Sequence, residues 1–161
     1  MRLTHLDEAG RARMVDVADK AESRRTAVAT GRVRMSAEAF EAVREQAVAK
    51  GDVLRVAEVA GTLAAKRTGD LIPLCHPLGL DLVRVEARLD PSLPGVEIVA
   101  MTSTMGRTGV EMESLTAVTI GCLTVYDMVK ALDRAMTIEG VQLVSKTGGT
   151  RGDYHRDSDG G

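Results

Sequence analysis

Asp127 and Lys130 stand three residues apart in a stretch that reads as helix, so a carboxylate and an ammonium share one face. Such a pair can move protons once packing or a ligand takes water away from it. Its bland counterpart is a solvated surface ion pair, which is common and weak. The neighbouring residues weigh against the bland reading. At about 100° per residue, Leu115, Val118, Cys122, Val125, Val129 and Leu132 form one apolar stripe, the face that should cover a sheet. Glu113, Thr116, Ile120, Leu123, Asp127 and Lys130 fall on a second face, nearly opposite. A solvated face does not ordinarily carry Ile and Leu in this way, so the second face is expected to pack against another subunit or across a pocket.

Anion chemistry has two further sources. Gly106-Arg107-Thr108-Gly109 precedes the helix, where backbone N–H groups can approach a phosphate, although a plain glycine turn fits as well. Glu111 and Glu113 suit the helix dipole without any ligand. Arg25, Lys50, Lys66, Arg67 and Lys146 lie at segment ends or in loops, where cations bind phosphates or are simply solvated. Leu74-Cys75-His76-Pro77 sits in a proline-bounded loop. Without Cys-x-x-Cys or His-x-x-x-His spacing, no metal site is expected there. His76 can bind a polar group, shuttle a proton or serve the structure. The glycine patterns of standard mononucleotide and dinucleotide cradles are absent.

The elements that must position these residues follow from periodicity and caps. Residues 27–35 read as a strand, and Ser36 caps a helix over Ala37–Val48. Lys50-Gly51 stops that helix, and Asp52 caps a second one running to about Lys66. Arg67–Leu80 reads as loop. Alternation over Leu82–Leu89 and again over Val96–Thr104, with a proline-rich turn between, predicts a hairpin. A long helix follows to about Ala135, and Val141–Ser145 closes as a strand. This order predicts an α+β, ferredoxin-like split β-α-β sandwich, with an antiparallel four-stranded sheet, helices on one face and the first helix broken in two. One domain over residues 1–161 is expected, with loosely ordered ends at 1–25 and 149–161.

Composition narrows the function class. The 161 residues are 44% hydrophobic and 27% charged with a net charge of −2, so anion binding must come from local clusters. No apolar run is long enough to span a membrane. The polar, mixed-charge first residues predict no secretory signal, and two cysteines predict reduced thiols in a cytoplasmic protein. Only three aromatic residues, Phe40, Tyr126 and Tyr154, argue against nucleic-acid binding, which leans on stacking.

Several stretches together resemble one family. They are Met14-Val15-Asp16-Val17, the run from Ala64-Ala65-Lys66-Arg67-Thr68-Gly69-Asp70 through Leu71-Ile72-Pro73-Leu74-Cys75-His76-Pro77-Leu78, Gly109-Val110-Glu111-Met112-Glu113, and Tyr126-Asp127-Met128-Val129-Lys130-Ala131. They are similar to the cyclic pyranopterin monophosphate synthase family, MoaC, over roughly residues 3–153. The resemblance implies a lyase acting on 3′,8-cyclo-7,8-dihydroguanosine 5′-triphosphate, giving cyclic pyranopterin phosphate and diphosphate in molybdenum cofactor biosynthesis. It implies a homohexamer, a trimer of dimers with active sites at dimer interfaces. No cofactor is required on this view, with Mg²⁺ possible beside the triphosphate. Asp127 and Lys130 match the family's catalytic pair, and Leu74, Cys75, His76, Met112 and Glu113 match substrate contacts. Lys50 and Lys66 match essential lysines, Arg25 a residue near the triphosphate and Lys146 a further site lysine. Lys146-Thr147-Gly148-Gly149-Thr150 departs from the family, which often shows Ser and Lys where the threonines stand.

On these roles Lys130 leads as general acid or base, Asp127 tunes and orients it, and Lys50, Lys66 and Arg25 clamp phosphates. The exposed Ile120 and Leu123 predict a site shared between chains, with Asp127 and Lys130 on one and phosphate-binding residues, Lys50 among them, on the other. The alternative class is a non-catalytic regulatory module that binds a small molecule on the same fold.

Overall fold

A computed structural model describes residues 9–149 and 152–156, so expectations for residues 1–8, 150–151 and 157–161 lie outside the described residues. The chain runs β1 (Ser23–Arg34), α1 (Ala37–Arg44), α2 (Val53–Lys66), α3 (Thr68–Leu71), β2 (Leu82–Asp90), β3 (Gly95–Gly106), α4 (Glu111–Val129), β4 (Thr137–Thr147) and β5 (Tyr154–His155). The sheet order is β2-β3-β1-β4-β5, antiparallel throughout. The first four strands have the ferredoxin-like order, as the element pattern predicts. The fifth is an addition to the expected four. Ser145 pairs with His155 and Lys146 with Tyr154, within the segment read as a loose end. At the other terminus β1 begins at Ser23 and so takes in Arg24 and Arg25.

The sheet face carrying Ala27, Ala29 and Val33 of β1, Val85 and Ala87 of β2, and Val96, Ile98 and Ala100 of β3 is buried under the helices. Val118, Cys122, Val125 and Val129 of α4 meet it and are fully buried, as the stripe predicts. Burial also takes in Ser114, Ala117, Gly121 and Met128, because α2 packs along that side of α4. The approach is close. A Cβ at Gly61 would sit 2.9 Å from the Ala117 carbonyl oxygen. Gly61→Ala gains about 1 kcal/mol of helix propensity but must push two helix backbones apart, which costs about 1–3 kcal/mol. The variant is therefore expected to show a lower urea midpoint than wild type; a higher one would mean that the helices yield freely.

Two helix ends differ from expectation, each for a local reason. Ser36 and Asp52 cap α1 and α2 as predicted, accepting from the N–H groups of Ala39 and Arg55. Yet α1 stops at Arg44 rather than Val48. Gln46 takes φ +54°, Ala47 N–H donates to Ala42 at 2.8 Å and Gln46 N–H to Val43 at 3.2 Å. That is a left-handed cap of the Schellman type, made by Gln where Gly is usual. Helix α4 stops at Val129, because the Asp133 carboxylate accepts from the backbone N–H groups of Ser36 and Ala135 and turns the chain towards α1. Leu132, assigned to the buried stripe, is consequently off the helix and 48% exposed. The Arg67–Leu80 loop also contains one short helical turn, α3, where Thr68 Oγ1 donates to the Ala65 carbonyl at 3.0 Å.

Candidate active site

An antiparallel sheet brings the start of β1, the start of β2, and the ends of β3 and β4 to one edge. The N-terminus of α4 and the loop before β2 meet there, around a cleft of about 380 Å³. That volume suits a small molecule. Seven of the residues singled out from sequence line it: Arg25, Leu74, Cys75, His76, Met112, Glu113 and Lys146. Lys20, Arg107 and Glu111 join them. Sequence reasoning missed Lys20 and Glu111 as site residues, having placed Lys20 in a loose segment and read Glu111 through the helix dipole alone. The expected anion loop does lie at the cleft, with Arg107, Thr108 and Gly109 on its wall.

Arg25 is anchored through its Nε and lies close under a glycine turn. Its Nε donates to the Gly106 carbonyl at 3.1 Å. The glycine turn after β4 folds over it, and Gly148 and Gly149 take φ values of +87° and +91°, which L side chains rarely adopt. A Cβ at Gly149 would collide with the Arg25 guanidinium, and one at Gly148 with the Arg24 carbonyl. Lys146, paired with Ala27 across β1 and β4, reaches Glu111 at 2.8 Å.

Glu113 is the unusual group. It is 4% exposed, and its Oε2 has no hydrogen-bond partner among the described residues. Thr108 Oγ1, on the same wall, is likewise buried and unpartnered. Burial pushes the Glu113 carboxyl up to about 7, with the Glu111 charge adding to the shift and its own backbone N–H opposing it. Burial also raises the Cys75 thiol, and the charge of Glu113 raises it further. The Glu113 shift has a consequence for folding. A carboxyl whose pKa is about 7 when folded, against an ordinary 4.5, favours the fold most below pH 4.5, and that contribution is lost as pH rises to about 7. Glu113→Gln is therefore expected to match wild-type stability near pH 4 and to exceed it at pH 8 by on the order of 1–3 kcal/mol. Equal differences at both pH values in urea titrations would mean that ionising the buried carboxyl carries no penalty.

The second group lies at the far end of α4. Asp127 Oδ1 meets Lys130 Nζ at 2.7 Å and Oδ2 meets Lys50 Nζ at 2.6 Å; Lys50 also donates to the Asp127 carbonyl at 2.8 Å. The hydrogen bonds from Lys130 and then Lys50 hold the Asp127 carboxyl down at about 2. Two expectations change here. Within one chain the pair is open to water, the side chains of Asp127 and Lys130 being about half exposed at 55% and 52%, so ion pairing rather than desolvation shifts Asp127. Lys50 stands beside Asp127 and Lys130 of its own chain, not with the residues of the cleft. Lys66, exposed at the end of α2, belongs to neither group.

Glu113 and Asp127 are fourteen residues apart on one helix, about 21 Å at 1.5 Å per residue. Between them the second face is open only in part: Thr116 is 8% exposed and Ile120, expected to be exposed, is partly buried, while Leu123 is 51% exposed and Val59 and Leu63 of α2 are 60% and 53% exposed. Among the described residues, no three His, Cys, Asp or Glu side chains group as a metal site, and no helix is long and apolar enough to cross a membrane.

The residues of both groups fall inside a match to the family model described as "MoaC family", over residues 14–149. A protein of Thermomicrobium roseum named cyclic pyranopterin monophosphate synthase is 58% identical over 157 residues, 98% of this chain and 95% of its own length. Proteins of that name from Methylobacterium sp. (strain 4-46) and Nostoc sp. (strain PCC 7120) are 58% and 57% identical, covering 96% and 94% of this chain and 97% and 90% of their own. A full-length likeness at this level, with the cleft and the Asp127 cluster inside it, places the chain in the MoaC family.

Proposed function

We propose that this chain is a cyclic pyranopterin monophosphate synthase, a lyase that converts 3′,8-cyclo-7,8-dihydroguanosine 5′-triphosphate to cyclic pyranopterin phosphate and diphosphate in molybdenum cofactor biosynthesis. The observation that carries this is a cleft that sets four cations, Lys20, Arg25, Arg107 and Lys146, around one buried carboxyl whose Oε2 has no partner among the described residues. The cations suit a triphosphate. The Glu113 carboxylate suits the N1–H and 2-amino donors of a guanine-derived ring, which an apolar wall would leave unpaired. Leu74 and Met112 supply apolar surface for the ring, and Cys75 and His76 complete that wall.

Rearranging the purine to a pterin requires ring opening by water and several proton transfers. Lys130 serves as the leading acid or base, oriented by Asp127, with Lys50 on the other carboxylate oxygen. In the phosphate step a hydroxyl oxygen attacks the α-phosphorus. One P–O bond forms as the bond to the β-phosphate oxygen breaks, the hydroxyl proton passes to a base, and diphosphate carries away the negative charge. Arg25 and Lys146, with Lys20 and Arg107, stabilise that charge. No resident cofactor is required in this scheme, and Mg²⁺ enters with the triphosphate as its counter-ion.

Both groups serve one reaction only if a second chain joins them. The working unit is a dimer within a homohexamer, a trimer of dimers in the cytoplasm. Its two-fold axis crosses the apolar face of α2 and α4, covering Val59, Leu63 and Leu123. An antiparallel pairing of two α4 helices then sets the cleft of one chain against Asp127, Lys130 and Lys50 of the other, across the spacing of about 21 Å.

Incubation with the cyclic triphosphate tests the reaction. Release of one diphosphate per pterin formed is expected. Tight binding of the triphosphate with no diphosphate released would make the chain a ligand-binding module instead.

A further inference from the structure

The cleft cations are not equivalent. Lys20 and Arg25 meet no carboxylate among the described residues, and Arg107 lies 3.8 Å from Glu22, which is outside the cleft lining. Lys146 alone is held by a carboxylate of the cleft itself, Glu111 Oε1 at 2.8 Å, both side chains being about one quarter exposed at 27% and 26%. The Glu111 side chain folds back over Gly109, where a Cβ would overlap its Oε2. Glu111 and Lys146 come from α4 and β4, thirty-five residues apart in sequence, so the fold and not helix periodicity makes the contact.

We infer that Glu111 is a positioning residue that occupies the Lys146 ammonium while the cleft is empty and exchanges it with a phosphate group when substrate or diphosphate binds. This rests on the reading of the cleft as a phosphate site. The physical reasons are two. A partly buried ammonium with no counter-charge is costly, so an internal carboxylate keeps Lys146 extended and aimed into the cleft. The same carboxylate competes with the ligand for that ammonium, and recaptures it when diphosphate leaves. The other charged and titratable groups that line the cleft with this pair are Glu113 on α4, Cys75 and His76 on the loop before β2, Arg107 after β3, Arg25 on β1 and Lys20 before it.

The test uses inorganic diphosphate as probe, its affinity measured by calorimetry at fixed pH for the full chain and for Glu111→Gln, Lys146→Met and the double variant. Glu111→Gln is isosteric, and Glu111→Ala serves as a second variant should the amide perturb folding. Removing the competitor is expected to tighten diphosphate about tenfold, the scale of one charge-assisted hydrogen bond. Lys146→Met is expected to weaken it, and Glu111→Gln to change it less than about twofold when Lys146 is absent. In turnover, Glu111→Gln should lower KM and kcat together, since product is held longer. Equal tightening with and without Lys146 would overturn the exchange, because Glu111 would then simply repel the anion. Unchanged or weaker binding in Glu111→Gln, with Lys146→Met still weakening it, would overturn it as well and leave the phosphate site standing. Failure of every protein, wild type included, to bind diphosphate would instead remove the phosphate reading and the exchange with it.

Discussion

Lys130→Ala and Asp127→Ala are each expected to lower turnover by about 10²–10⁴-fold, the usual worth of a positioned proton-transfer group. The geometry gives a reason for expecting comparable losses. One carboxylate binds two ammoniums, Lys130 through Oδ1 at 2.7 Å and Lys50 through Oδ2 at 2.6 Å, so removing Asp127 releases both. The double variant should therefore lose little more than the worse single one, as groups that act as a unit are non-additive. Lys50→Ala belongs to the same set and should fall in the same range. All three side chains are about half exposed, so the variants should unfold at wild-type denaturant concentrations. Because its two lysines hold Asp127 at about 2, it stays ionised above pH 4, and no acid limb of the rate above that pH should disappear on replacing it. Single-turnover rates of pterin formation decide the matter: either variant within tenfold of wild type would remove that residue from the chemistry.

Mixing two inactive proteins should restore activity, provided the defects lie at opposite ends of α4. In the proposed dimer each site takes Asp127, Lys130 and Lys50 from one chain and Glu113, Arg25 and Lys146 from its partner. A mixed dimer of Lys130→Ala and Glu113→Ala chains then holds one site with both defects and one with none. Random reassembly makes about half the dimers mixed, so about a quarter of all sites should be intact. Mixing Lys130→Ala with Lys50→Ala should restore nothing, although sequence alone suggested that it would. Both residues sit on the same Asp127 carboxylate of one chain, and every site would keep one of the two defects. The pair of experiments is measured after mild dissociation, with mixed oligomers verified by mass spectrometry. Recovery in the second mixture, or none in the first, would refute the shared arrangement while leaving the family assignment untouched.

Much of this was legible in the residues themselves. Ser36 and Asp52 as caps, the two-residue alternation of the hairpin and the 3.6-residue stripe of α4 are local properties, carried by neighbours in sequence. From them follow the element order and the ferredoxin-like sheet. The adjacency of Asp127 and Lys130, three apart on a helix, is local in the same way, and so is the exposed position of Leu123. Where α1 and α4 end was not legible. Those ends depend on Gln46 accepting a left-handed φ and on Asp133 reaching across to Ser36. Nor could spacing reveal partners distant in the chain. Lys50 meets Asp127 across 77 residues and Lys146 meets Glu111 across 35, contacts made only when antiparallel strands and the α2–α4 packing bring their ends together. The raised carboxyl of Glu113 is of the same kind. Glutamate in the first turn of a helix is ordinarily solvated and favoured by the dipole; here Glu113 is 4% exposed in the wall of the cleft, and only that tertiary burial leaves its Oε2 without a partner among the described residues.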